Sequence, residues 1–209
     1  MSATQAWERY AAGARPRRQV NAAGASTWLN WTQYPDHGPD EALFGEVRGR
    51  RAVELGSGSG SNLAHLATLG AVCTGVDLAP SRTAAATTTW GHLPNLEFVT
   101  ADAVDYLTDC QAAFDIVYSI FGAVWFTDPV ILLPLVCQHM RSGGVFAFSH
   151  LPAATPSVTS GGVVSKWHYP ADQWSNMLAA AGFQDVTTTI IPAPDTDKPG
   201  TLVVRALAG

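Results

Sequence analysis

A chain of 209 residues is long enough to bury a full sheet under two helical layers and too short for a second independent domain. Hydrophobic residues make up 47% and charged residues 14%, a globular composition that excludes wholesale disorder. The net charge of −5 argues against a nucleic-acid partner, which needs a concentrated basic face, so the short clusters Arg15/Arg17/Arg18 and Arg48/Arg50/Arg51 read as solvated turns.

The first residues, MSATQAWERYAAG, lack the apolar core of a secretory signal, and no apolar run is long enough to span a bilayer, so a soluble, cytoplasmic protein without a membrane partner is expected. Residues 1–45 stand apart as a helical and aromatic arm. Within it Ala25–Phe44 carries Trp28, Trp31, Tyr34 and Phe44 among Pro, Gly and Asn, too irregular for a regular element and expected to cover the domain formed by residues 46–209.

From Arg51 onward strands and helices alternate, the pattern of a mostly parallel, doubly wound sheet. Arg51–Leu55 reads as a strand closed by a Gly/Ser turn, Ser61–Leu69 as a helix stopped by Gly70, and Val72–Leu78 as the second strand. A helix starts at Pro80, where proline suits a first turn, and Leu96–Ala101 and Phe114–Ser119 supply two more strands. Asp128-Pro129 reads as a cap followed by a first helical turn; Pro134 predicts a kink or a later start, and Gly143-Gly144 ends that helix before strand Val145–His150. Pro170–Ala181 is the last helix, with Asp172 in its positive first turn. Val186–Ile191 and Thr201–Ala206 have no helix between them and pair most simply antiparallel. Cys73, Cys110 and Cys137 are odd in number and far apart, so buried free thiols are expected.

The informative stretch is Val53-Glu54-Leu55-Gly56-Ser57-Gly58-Ser59-Gly60, where a strand runs into alternating glycines and then a helix. Glycine permits the tight turn and lets a ligand approach the backbone. The third glycine comes one residue too early for the dinucleotide fingerprint, whose last position would be Ser61, so the spacing favours a ligand other than NAD. In Gly75-Val76-Asp77-Leu78 an acidic residue ends the next strand, where a carboxylate can accept both hydroxyls of a ribose. Ala101-Asp102-Ala103 follows the third strand, placed to meet the edge of an adenine.

Together ELGSGSG, GVDLAP, TADAVD and FDIVYSIFGAVWF resemble, in order and position, the class I S-adenosylmethionine-dependent methyltransferases, over Arg51 to Gly209. The resemblance implies a Rossmann-like three-layer α/β sandwich, its seven-stranded sheet mostly parallel with the last strand antiparallel. It implies S-adenosylmethionine as cofactor, with Glu54, Gly56, Ser57, Gly58 and Gly60 framing its methionine and ribose portion. Asp77 would hold the ribose, Leu78 stack on adenine, Asp102 and Ala103 take the adenine edge, and Ser119 offer backbone to the methionyl amine. Plainer alternatives stand beside these: Glu54 tied into the turn, Leu78 as core, Asp102 as a helix cap. Tyr10 and Trp28 are candidates to close the pocket from the arm.

A sulfonium is already a strong methyl donor, so alignment and exclusion of water can supply most of the rate, and a base is optional. His150, at the end of the fifth strand, and His37, in the arm, are the candidate bases. Phe121 and Trp125 after the fourth strand, with Tyr34 and Trp167, are candidates for an apolar acceptor wall, to which Phe126 and Trp31 could add. Ser119-Ile120-Phe121-Gly122 is not the run of enzymes that methylate nucleic-acid bases, and no carboxylate and histidine cluster suggests a catalytic metal. The expected acceptor is a small aromatic or heterocyclic molecule, methylated on oxygen or nitrogen by a monomer or homodimer. The alternatives are a protein that binds S-adenosylmethionine without transferring its methyl group and, further off, a nicotinamide-dependent oxidoreductase.

Overall fold

In the computed structural model, which describes residues 1–14, 17–159 and 163–209, the alternation after Arg50 builds one seven-stranded sheet. Arg15 lies outside the described residues. The strands are β1 Arg51–Leu55, β2 Val72–Asp77, β3 Leu96–Thr100, β4 Phe114–Ile120 and β5 Met140–His150, with β8 Phe183–Ile191 and β9 Thr201–Ala208 at one edge. A separate hairpin joins β6 Ser157–Thr159 to β7 Lys166–His168. The sheet order is β3-β2-β1-β4-β5-β9-β8, in which β1 to β5 are parallel and β9 runs antiparallel to both neighbours. The expected sheet is therefore present, terminal antiparallel pair included.

The helices are α1 Ala3–Gly13, α2 Ser61–Thr68, α3 Pro80–Trp90, α4 Ala103–Asp109, α5 Ala123–Phe126, α6 Pro129–Gln138 and α7 Ala171–Ala180. Alternation along the strands divides the core in two. Val53, Val117, Phe146 and Phe148 face Leu107 of α4, Leu132 and Val136 of α6, and Trp174 and Leu178 of α7. On the other face Ala52, Ile116, Tyr118 and Ala147 meet Leu63 and Leu66 of α2 together with Leu29, Trp31 and Phe44 of the arm. The aromatic segment thus fills a place in the second layer that no helix occupies. Trp31 is completely buried, a contribution on the order of 5 kcal/mol for a ring of its area. Its carbonyl also accepts the Ser149 hydroxyl at 2.7 Å. The segment is part of the core, where the sequence suggests only a cover.

Three local expectations are corrected. The helix around Pro134 starts at Pro129 under its Asp128 cap and not nearer Leu133, and the carbonyl that Pro134 leaves without a donor belongs to Val130, which is 76% exposed. Gly143-Gly144 does not stop that helix; it lies inside β5, where the register with β4 shifts between Phe114 and Ile116 and Gly143 takes a φ of 73°. Of the three free thiols only Cys73 is buried. Among the described residues no helix is long and apolar enough to cross a membrane.

Helix α1 starts in a capping box, the Ser2 hydroxyl accepting from Gln5 N–H and the Gln5 side chain accepting from Ser2 N–H. None of its residues is buried. Glu8 accepts the Ser81 N–H at 2.8 Å, which ties α1 to the first turn of α3.

Candidate functional site

Strand β1 lies between β2 and β4, so the connections leaving the carboxyl ends of β1 and β4 diverge and open a crevice between them. A cavity of about 1000 Å³ occupies that crevice. Its floor is the turn after β1, which Gly56 and Ser57 fasten to β2 by donating to the Val76 carbonyl at 2.8 and 3.0 Å. Gly56 has a φ of 83°, and a Cβ there would stand 2.6 Å from Ala123 N and 2.8 Å from Gly122 Cα, so the turn after β4 packs directly on it. Gly60 packs its Cα against the Phe98 ring, 2.4 Å from where a Cβ would be, and this close approach seats α2 on the sheet. Nothing lies within 4 Å of a Cβ built on Gly58, which faces open space.

Asp77 lines the cavity. One carboxylate oxygen accepts Gly58 N–H at 2.8 Å and the other accepts Ala79 N–H at 2.9 Å. Each oxygen keeps a further lone pair for a ligand. Asp102 caps α4 through Val104 N–H at 2.8 Å, the plainer of its two readings, yet it also lines the cavity with Ala103 and Leu78. The Ser57 hydroxyl is buried in the wall and has no partner among the described residues.

Glu54 is 2% exposed and accepts the Tyr118 hydroxyl at 3.2 Å. Burial pushes its carboxyl up to about 8, against the pull of Tyr118, Asn62 and the Arg17 charge, so the group is protonated at neutral pH. Arg17 reaches the same end of the cavity from the arm, donating to Asn62 Oδ1 at 2.9 Å and to the Trp28 carbonyl at 2.8 Å. The other wall is aromatic, with Trp7, Tyr10, Phe121, Phe126 and Trp167. Trp7 meets the edge of Phe126 with ring centres 4.6 Å apart.

Several expected site residues stand elsewhere. The Ser119 hydroxyl donates to the Leu55 carbonyl at 2.7 Å and accepts Val124 N–H at 3.3 Å, so this side chain braces the glycine turn against α5, at the end of the strand whose backbone is expected to meet the methionyl amine. Gly60 likewise supports the turn without lining the cavity. His37 and Tyr34 belong to a turn of the arm on the far edge, where His37 Nδ1 lies 3.1 Å from the Thr32 hydroxyl and the Tyr34 hydroxyl donates to the Pro199 carbonyl at 2.7 Å. His150 is fully buried under Trp125, the two rings stacked 5.6 Å apart at 11°. Its Nδ1 donates to the Leu151 carbonyl at 2.7 Å, while Nε2 is buried without a partner among the described residues. Burial lowers its pKa to about 4, which keeps the ring neutral. Trp125 itself is 6% exposed and backs the cavity, with the Lys166 ammonium 4.7 Å from its ring centre.

Period-two alternation carries the signal that places His150: Phe146, Phe148 and His150 share one face of β5, the face packed against α7. The spacing of Ala3, Trp7 and Tyr10 at i, i+4 and i+7 marks the cavity side of α1. Arg17 carries no such mark, because in the short basic run Arg15/Arg17/Arg18 no period singles out one arginine from its neighbours.

Residues 53–148 match the family model described as a methyltransferase domain. Over 107 residues the chain is 33% identical to a protein named trans-aconitate 2-methyltransferase from Deinococcus radiodurans, covering 51% of this chain and 40% of that one. The chain spans about half the length, or less, of the curated relatives it matches. Among solved structures it resembles an S-adenosylmethionine dependent methyltransferase from Mesorhizobium loti, with a TM-score of 0.64 and 24% identity over 80% of this chain and 94% of that one. It also resembles the 1,6-didemethyltoxoflavin-N1-methyltransferase of Burkholderia thailandensis, with a TM-score of 0.65 and 22% identity over 77% of this chain and 72% of that one. At these identities the structural likenesses speak to the fold.

Proposed function

We propose that this chain, whose residues 53–148 carry the methyltransferase domain and whose fold is that of the class I S-adenosylmethionine-dependent methyltransferases, transfers the methyl group of S-adenosylmethionine to an oxygen or nitrogen of a small aromatic or heterocyclic molecule. The observation that carries this reading is Asp77, fixed by two backbone N–H groups beside the glycine turn and facing a cavity whose other wall is aromatic. The cavity also suits the cofactor in a second respect, since the buried Ser57 hydroxyl lacks a partner among the described residues and a ligand can satisfy it.

In this reading Asp77 accepts the ribose hydroxyls, Asp102 and Ala103 meet the adenine edge, and Leu78 packs on the ring. The bound sulfonium supplies an activated methyl group that needs a nucleophile aligned with the carbon–sulfur bond. Trp7, Phe121, Phe126 and Trp167 keep water out and hold a flat acceptor, and their faces favour a nearby cation. No histidine lies in the described wall, so orientation and desolvation, rather than an imidazole base, carry the rate.

Titration calorimetry with S-adenosylhomocysteine tests the cofactor, and incubation with labelled S-adenosylmethionine and a panel of small aromatic metabolites tests the transfer. A methylated product is the expected outcome. Binding with cofactor turnover but no methylated product would assign a non-methylating role, and binding of NAD(P) without S-adenosylhomocysteine would assign an oxidoreductase.

A further inference from the structure

We infer that Arg17 of the arm is the counter-charge for the carboxylate of the ligand's amino-acid portion, so that the arm reads the one end of the cofactor that a plain adenosine lacks. The inference rests on the proposed cofactor and specifies which group on it Arg17 recognises.

The polar groups of the cavity run in the order of the strands that carry them. Asp102 follows β3, Asp77 ends β2, and Glu54 lies in β1. Asn62, in the first turn of α2, lies beyond the glycine turn, and Arg17 is bonded to it. A ligand with its adenosine at Asp77 and Asp102 therefore extends its far end past Glu54 toward Arg17.

Arg17 is built as a recognition group. Asn62 and the Trp28 carbonyl each take one of its amino groups, and the central guanidinium carbon sits over the Trp28 ring, 3.9 Å from its centre. Held on three sides, it loses little freedom when an anion arrives. It is half-buried in the cavity wall, yet among the described residues no carboxylate lies within 4 Å of it. Two carboxyls act on it from further off: Glu54, whose burial favours the neutral acid, and Asp36, which already accepts the Ala22 N–H and lies 3.9 Å from Arg18, so neither gives Arg17 a contact counter-charge. A cation taken partly out of water without a partner is costly, and an anionic ligand group removes that cost. Arg18 differs in each respect, since it is exposed and reaches Asp36 at 3.9 Å.

The test compares two probes by titration calorimetry: S-adenosylhomocysteine, which has the amino-acid carboxylate, and 5′-methylthioadenosine, which does not. In Arg17→Ala the affinity for S-adenosylhomocysteine is expected to fall about 10- to 100-fold, the loss of a charge-assisted contact, while that for 5′-methylthioadenosine changes less than about threefold. Arg17→Lys should fall between, keeping the charge and losing the planar fork. An equal fall for both probes would show that Arg17 merely shapes the pocket through Trp28 and Asn62, and an unchanged affinity for S-adenosylhomocysteine would show that it serves no cofactor group; either result overturns the inference and leaves the proposed function standing. Failure of the unaltered protein to bind either probe would remove the proposed function and the inference with it.

Discussion

The Gly58 N–H donates to an Asp77 carboxylate oxygen at 2.8 Å, joining the turn after β1 to the end of β2 across the floor of the cavity. The carboxylate is thereby oriented before any ligand arrives, at the two strand ends where the sequence motifs fall. Binding need not then include the entropy of fixing it.

Asp77→Ala removes both this bond and the one from Ala79 N–H. The affinity for S-adenosylhomocysteine should fall at least about 100-fold, since contacts to a charged group contribute 1.5–3 kcal/mol each. The melting temperature should fall by only about 5 °C, because two part-buried amides lose their acceptor while no core packing is lost. Calorimetry and thermal unfolding read the two effects separately.

Two neighbouring glycines should respond differently to alanine. At Gly56 the added carbon meets backbone at 2.6 Å, so Gly56→Ala must push α5 away and should cost about 3 kcal/mol or more along with ligand binding. At Gly58 there is open space, and only the positive φ of 53° opposes the change, a cost of about 1–2 kcal/mol. Denaturant unfolding of the two variants should keep this order; equal losses would mean that the turns after β1 and β4 are not in contact.

His150 links stability to acid. Its pKa falls from 6.5 to about 4 on folding, so the unfolded chain takes up a proton first. This contribution is complete above about pH 6.5 and is lost as the pH falls toward 4, a total on the order of 3 kcal/mol. His150→Phe keeps a flat ring in the stack and should flatten that part of the stability profile while leaving S-adenosylhomocysteine affinity within about twofold. Loss of ligand binding in this variant would return the residue to the cavity.

Glu54 has the opposite sign. Its folded pKa is raised to about 8 from 4.5, so stability from this group is complete below about pH 4.5 and is lost as the pH climbs through 8. Glu54→Gln keeps the shape and an acceptor for Tyr118, and its stability relative to the unaltered protein should rise steadily between those limits. Chemical denaturation at a series of pH values measures the difference; a gain that does not grow with pH would show that the carboxyl is ionised.

The sheet and the turns that floor the cavity are legible in the sequence because they are built from local rules. Apolar strands closed by glycine, and a carboxylate at a strand tip, announce themselves over a few residues, and Gly56, Gly58, Asp77 and Asp102 stand at the turns those rules assign. The aromatic wall, the proposed acceptor side, is assembled from distant segments: Trp7 from α1, Phe126 from α5 and Trp167 from β7 meet only in space. The hairpin of β6 and β7 passed unnoticed because its strands are three residues long. Tyr34 and His37 were placed by their aromatic neighbours, and tertiary hydrogen bonds to Pro199 and Thr32 hold them on another edge.

The arm divides by how it is held. Around Trp31 it is stitched to the last loop and to β5, Gln33 donating to the Pro199 carbonyl at 2.9 Å and Ser149 of β5 donating to the Trp31 carbonyl at 2.7 Å, whereas α1 contributes nothing buried. Natural variation or deliberate grafting can therefore exchange the first helix between homologous proteins and retune what the aromatic wall admits. A splice placed after Phe44 would instead strip a layer from the interior, so the tolerable crossover point for a hybrid lies ahead of Trp28.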